Sequence, residues 1–195
     1  MKRIFLLLSL IVMACFCTRV NAQNFAVKTN LLYDATASIN LGVEFIASEK
    51  WTFDVSGNWN SWNMPGGRKW KHWMLQPEVR RWLCEPMNGH FFGVHAHSGQ
   101  FNIGHLSSGF SFLGTDFGRL KDHRFQGWFG GGGVAYGYAW ILNRHLNLEA
   151  EIGLGYSYVK YDVYECEGCG KKVETDQTHH YVGITKAAVN LVYTF

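Results

Sequence analysis

Three groups of residues in this chain have the types and spacings that do chemistry. Cys166 and Cys169 stand within Cys166-Glu167-Gly168-Cys169-Gly170-Lys171-Lys172, and His179 and His180 follow shortly after. Two cysteines separated by two residues and followed by glycine and a base give half of a zinc-knuckle spacing, with the two histidines as candidate completing ligands. The same thiols could instead close a small disulfide, which an exported chain permits. Both readings stay open. In the second group, His95, His97 and Ser98 have the types of a hydrolytic site, with Glu149 or Glu151 as a carboxylate partner. His95 and His97 share one face of an alternating segment and Ser98 points to the other, so hydrogen bonding in an interior is the stronger reading. The third group consists of Lys28, Glu44, Asp54, Glu78, Arg80, Glu149, Glu151 and Lys186, which alternation in a period of two sends to one face of their segments; Glu44, Asp54, Glu78, Glu149 and Glu151 stand directly between apolar neighbours.

That period defines the elements. Alternation predicts eight strands at about 24 to 34, 37 to 47, 51 to 60, 70 to 82, 90 to 101, 127 to 141, 146 to 160 and 183 to 195. Every second connection is short: Ser48 to Lys50, Cys84 to Gly89 and Leu142 to His145. The others, Ser61 to Arg68, Asn102 to Gln126 and Tyr161 to Val182, are longer and polar or Gly-rich, except for the turn near Asp34 to Thr36. Short turns at one end and long loops at the other fit an all-β, eight-stranded antiparallel transmembrane β-barrel with long outer loops. The eight tryptophans fit two girdles. Trp59, Trp62, Trp70, Trp73 and Trp128 fall at outer strand ends, and Trp51, Trp82 and Trp140 at periplasmic ends.

Residues 1–22 read as a signal peptide. Lys2 and Arg3 precede an apolar run from Ile4 to Cys17, and Asn21-Ala22 closes a cleavage pattern before Gln23. The expected barrel is residues 23–195. The chain has 18 Lys and Arg against 15 Asp and Glu, but Lys2, Arg3 and Arg19 belong to the signal, which leaves 15 of each. A neutral chain gives no electrostatic case for nucleic acid. The last segment ends in Tyr193 and Phe195 on one face, an aromatic C-terminal signal that barrel-assembly machinery would read.

In such a barrel one face of each strand meets lipid and the other fills a lumen. Ile39, Leu41, Val43 and Phe45 face out, so Glu44 faces in; Leu148, Ala150, Ile152 and Leu154 face out, so Glu149 and Glu151 face in. The same reading sends Lys28, Asp54, Glu78, Arg80, His95, His97 and Lys186 inward. Eight strands leave an interior only wide enough for side chains, so these groups must pair as an ionic plug. Carboxylates outnumber cations there, and some are expected to share a proton. Gly130 to Gly133 lacks the Lys-Ser or Lys-Thr and the helix of a phosphate loop, and reads as strand glycine. Arg119, Lys121, His123 and Arg124 could grip lipopolysaccharide phosphates or be ordinary loop charges.

Several stretches also carry a family resemblance. They are Lys28-Thr29-Asn30-Leu31-Leu32-Tyr33-Asp34, Trp70-Lys71-His72-Trp73, Gln76-Pro77-Glu78-Val79-Arg80, Gly89-His90-Phe91 with Val94-His95-Ala96, Lys121-Asp122-His123-Arg124 with Gly127-Trp128, and Thr185-Lys186-Ala187. With them the chain resembles an uncharacterised Bacteroidetes outer-membrane family, domain of unknown function 3575. The resemblance implies an outer-membrane barrel, sometimes encoded near fimbrial components, with no established activity. The expectation is therefore a closed barrel of the bacterial outer membrane with a structural, surface-interaction or assembly role, without catalysis. Its expected partners are outer-membrane lipids including lipopolysaccharide, the assembly machinery, and surface or fimbrial proteins; no cofactor is expected beyond zinc in the last outer loop. The alternative is a membrane lipid-modifying hydrolase using His97, Ser98 and a lumenal glutamate.

Overall fold

The computed structural model describes residues 25–62, 69–104, 111–112, 115–116, 123–165 and 171–195. The proposed signal segment 1–22 lies outside them, as do Arg119, Lys121, Cys166 and Cys169. In chain order the elements are β1 (Phe25–Asn30), α1 (Leu31–Ala35), β2 (Ile39–Ser48), β3 (Trp51–Asn60), β4 (Lys69–Trp82), β5 (Gly89–Gly104), the two-residue β6 (Ser111–Phe112) and β7 (Thr115–Asp116), β8 (Arg124–Ile141), β9 (Leu146–Tyr164) and β10 (Lys172–Thr194). Eight of the strands form one antiparallel sheet closed on itself, in the order β1-β10-β9-β8-β5-β4-β3-β2.

Closure is staggered. From Thr194 the register passes to Ala26, Glu44, Asp54, Glu78, His95, Gly133 and Gly155, and returns to β10 at Gly183 instead of Thr194. Such a stagger tilts the strands, by about 35–45° in closed barrels. The strand tops climb with it, from β1, which stops at Asn30, to β10, which begins at Lys172. The lower end, at the three short turns, is nearly level. The upper end is a high wall on the β8–β10 side.

Residue types set which way each side chain points. On β5, Phe91, Gly93, His95 and His97 are buried, whereas Phe92, Val94, Ala96 and Ser98 are exposed. Pro77 sits on β4 opposite Val55 and has no N–H to give. The β4–β5 pairing skips the Gln76–Pro77 step there, between Leu75↔Ser98 and Glu78↔His95. The lower end is sealed from inside by an apolar floor of Ala26, Trp82, Met87, Phe91, Ala139 and Val192.

Four expectations need correction. The first strand ends at Asn30, not near 34: the Asn30 side chain accepts the Leu32 N–H at 3.1 Å and caps α1, turning Leu31 to Ala35 out of the sheet. The last strand starts at Lys172, eleven residues before Gly183, and β9 runs to Tyr164. Most of the expected loop from Tyr161 to Val182 is thus paired strand, and the connection shrinks to residues 165–171. Apolar and polar residues do not alternate cleanly from Glu174 to His180, which is why this stretch does not read as strand. Trp82 points inward and is fully buried, because it shares the Glu78 and Arg80 face of β4. Trp70 lies on that inward face too, packed edge-on against His72.

Candidate functional site

Alternation on the strands carries ionisable side chains to one level inside the ring. β1 brings Lys28, β2 Glu44, β3 Asp54, β4 Glu78 and Arg80, β9 Glu149 and Glu151, and β10 Lys186. All eight are at most 7 % exposed. Room for them comes from glycine on the neighbouring strands: a Cβ at Gly93 would overlap the Glu78 carboxylate, and one at Gly42 would overlap the Lys28 stem.

Arg80 is the hub. Its Nη1 donates to Glu44 and Glu149, both at 2.9 Å, its Nη2 to Glu151 at 2.7 Å and its Nε to Glu78 at 2.8 Å. The guanidinium lies 4.5 Å above the Phe91 ring, which packs on Trp82. Two lysines flank the hub. Lys28 bonds Glu44 and sits 2.8 Å from Asp54, while Lys186 bonds Glu78 and sits 3.1 Å from Glu151. Neutral groups complete the network. Trp82 Nε1 donates to Thr52 at 2.9 Å, Thr52 donates to Glu44, and Asn190 donates to Glu149 at 2.7 Å. Five carboxylates face three cations, an excess of two negative charges when every group is ionised. In a low-dielectric interior the loss of any one cation widens that excess.

Above the network lies a cavity of about 30 Å³ bordered by Lys28, Asp54, Asn58, Gln76 and Asn190. Asp54 Oδ1 and Asn58 Oδ1, both buried, have no hydrogen-bond partner there among the described residues. A volume of this kind exceeds the roughly 10–15 Å³ needed to hold a water, and the polar lining would suit one.

Of the ten residues read as a lumenal network, eight are joined in this way. The other two sit higher. His95 Nε2 pairs with Thr185 Oγ1 at 2.9 Å and His97 Nε2 with Ser157 Oγ, and both Nδ1 atoms are buried without a partner among the described residues. Ser98 is on the outer surface, away from His97. The geometry therefore does not assemble His97, Ser98 and a glutamate. It offers His97 a different serine, Ser157, and no carboxylate among the described residues bonds the far ring nitrogen.

Thr52, Ser157, Thr185 and the Trp82–Phe91 floor were not anticipated as members of the site. Thr52 was within reach of the same alternation that pointed to Asp54. The others depend on contacts between strands far apart in sequence.

On the upper wall, Lys160 pairs with Asp176 at 2.8 Å and Lys172 with Asp162 at 2.7 Å. The Lys172 ammonium and the Asp176 N–H hold the Asp162 carboxyl below its usual range. Arg124 lies with its guanidinium 4.0 Å above the Tyr164 ring. His179 and His180 are successive residues of β10 and so point to opposite faces. His180 Nδ1 pairs with the Tyr156 hydroxyl at 2.6 Å. At the lower rim Phe195 donates its N–H to Phe25 O at 3.2 Å, and its ring packs on Phe25 and Tyr193.

A family model described as a protein of unknown function, DUF3575, matches residues 7–195. The chain belongs to the DUF3575 family. No curated protein and no solved structure matches it. The match to DUF3575 runs through every strand of the ring and through all eight residues of the ionic network, so site and fold fall within one family unit.

Proposed function

We propose that this DUF3575 protein is a closed barrel of the bacterial outer membrane that serves as an anchor, carrying its upper wall as a surface for interaction or assembly. One observation supports the reading above all: the molecule is inside-out. Its buried interior is a charged network, while Leu41, Val94, Val134, Leu154 and Val182 are each more than half exposed on the outside. A water-soluble barrel would reverse both, since exposed apolar surface on this scale is tolerated where lipid or a partner covers it. Trp51 and Trp140 near the lower rim and Trp59, Trp62, Trp73 and Trp128 higher up are exposed in the manner of two interfacial girdles.

The filled lumen argues against conduction, and the outward Ser98 argues against the hydrolase built on His97. Lipopolysaccharide and other outer-membrane lipids are the proposed surroundings, the barrel-assembly machinery the proposed route, and surface or fimbrial proteins the proposed partners of the wall. Fractionation tests this. The full chain should stay with outer membranes through an alkaline carbonate wash and run as a heat-modifiable band. Release into the wash as soluble protein would refute it.

A further inference from the structure

β10 is far longer than the strand that closes the ring against it. β1 pairs with β10 only from Asn190 to Thr194, whereas β9 accompanies β10 almost to Lys172. Just above the seam the ladder is imitated by side chains. Asn30 donates to Ala187 O and accepts the Val189 N–H, both at 3.2 Å, and Gln76 donates to Thr185 O at 3.2 Å. The Ile184 carbonyl takes the hydroxyl of Tyr181 from its own strand at 3.3 Å. A strand carbonyl served by hydroxyl and amide side chains has no strand beside it.

Ile184, Val182 and His180 point outward like Ala187 and Val189. Along a strand the side-chain face and the backbone direction alternate together. Their N–H and C=O groups therefore point to the same side, where no strand pairs among the described residues. The pairing with β9 is regular from Gln177 to Ile184. Above it, register shifts around Glu174 and a φ of 55° at Asp176 break the line. The open edge is thus about one strand long, and Val182, at 69 % exposed, stands in its middle.

We propose that this edge of β10, from His180 to Ile184, docks an extended segment of another exported protein by strand addition. The proposal rests on the outer-membrane barrel reading. A second copy of the chain does not fit. Two barrels inserted the same way are related by an axis along the membrane normal, so their β10 strands cannot run antiparallel, and with strands tilted about 35–45° they would cross steeply rather than share a ladder. A strand from a separate protein has no such constraint. It is read by main-chain bonds, with alternate side chains giving specificity. Here a β-branched or aromatic residue would meet Val182, and an acidic one would meet His180.

Amide hydrogen exchange on the full chain tests this in three settings: detergent, vesicles of phospholipid and lipopolysaccharide free of other protein, and the membrane of the cell that makes it. The His180 and Val182 amides should exchange fast in the first two settings and at least about tenfold more slowly in the third. Val182→Pro, whose lost N–H lies on the open side, should keep the ring and abolish the slowing at His180, while Val182→Ile should keep both. Failure of the barrel reading itself would appear separately, as fast exchange of the Arg80 and Glu149 amides in the vesicles. Fast exchange at the edge in all three settings would overturn the proposal, as would slow exchange in detergent, slowing by the vesicles alone, slowing that follows the concentration of the purified chain, or slowing that survives Val182→Pro.

Discussion

The lower third of this barrel and its upper wall are built on opposite principles. Below, six of the eight strands send a charged group to one hub, where Arg80 ties β4 to both β2 and β9. Above, β9 and β10 stand on each other with solvent-exposed pairs such as Lys160–Asp176 between them. The first arrangement fixes a register that none of those six strands could slip without stranding a buried charge. The second fixes little and leaves a backbone edge that no strand pairs among the described residues. The difference teaches where constraint and function separate: the network makes the ring unique, and the wall is free to meet something else.

Substitution at the hub should have the largest effect. Arg80→Ala leaves four carboxylates short of their shared partner and should cost about 3–5 kcal/mol, read as loss of the heat-modifiable band. Arg80→Lys, with one donor head in place of a fork, should recover only part of it. Gly93→Ala attacks the same network through space, since the new methyl meets Glu78. Overpacking of this kind should cost about 1–3 kcal/mol, seen as a lower unfolding midpoint in denaturant.

Removing Phe195 deletes one aromatic contact with Phe25 and one with Tyr193. Each is worth about 0.5–1.5 kcal/mol, so yield of inserted barrel should fall while export across the inner membrane is unchanged; equal yield from both forms would contradict the seam's part in assembly. The wall should respond least. Lys172→Ala should let the Asp162 carboxyl return toward its ordinary range, because the ammonium that lowers it is gone. A carboxylate depressed in the folded state contributes stability above its unfolded pKa and loses it as pH falls through the lowered value. The variant should therefore differ from the parent in a local NMR titration below neutral pH, with no change in barrel yield.

The ionic level was legible because alternation alone decides which face a strand residue takes, and Glu44, Glu149 and Glu151 are flanked by apolar residues on both sides. Trp82 misled for the opposite reason: a bulky aromatic near a strand end suits a lipid girdle, and only counting in twos from Arg80 reveals that it points inward. Leu31-Leu32-Tyr33 reads as strand until Asn30 is seen to cap a turn of helix. The run from Thr175 to His180 reads as loop because all six residues are polar and carry no alternating apolar signature. The edge of β10 that stays unpaired among the described residues could not be read at all. It is a difference in length between two strands that lie at opposite ends of the sequence.

The central claim is an inside-out ring whose outer face meets lipid. Single cysteines at Val94, Val134, Ile152 and Leu154 on the outside, and at Ala135 and Ser157 on the inside, can carry spin labels in the vesicle-inserted chain. The account predicts that the four outer labels collide freely with dissolved oxygen and hardly at all with a water-soluble nickel chelate, and that the inner labels are screened from both. Outer labels open to the nickel chelate would contradict it.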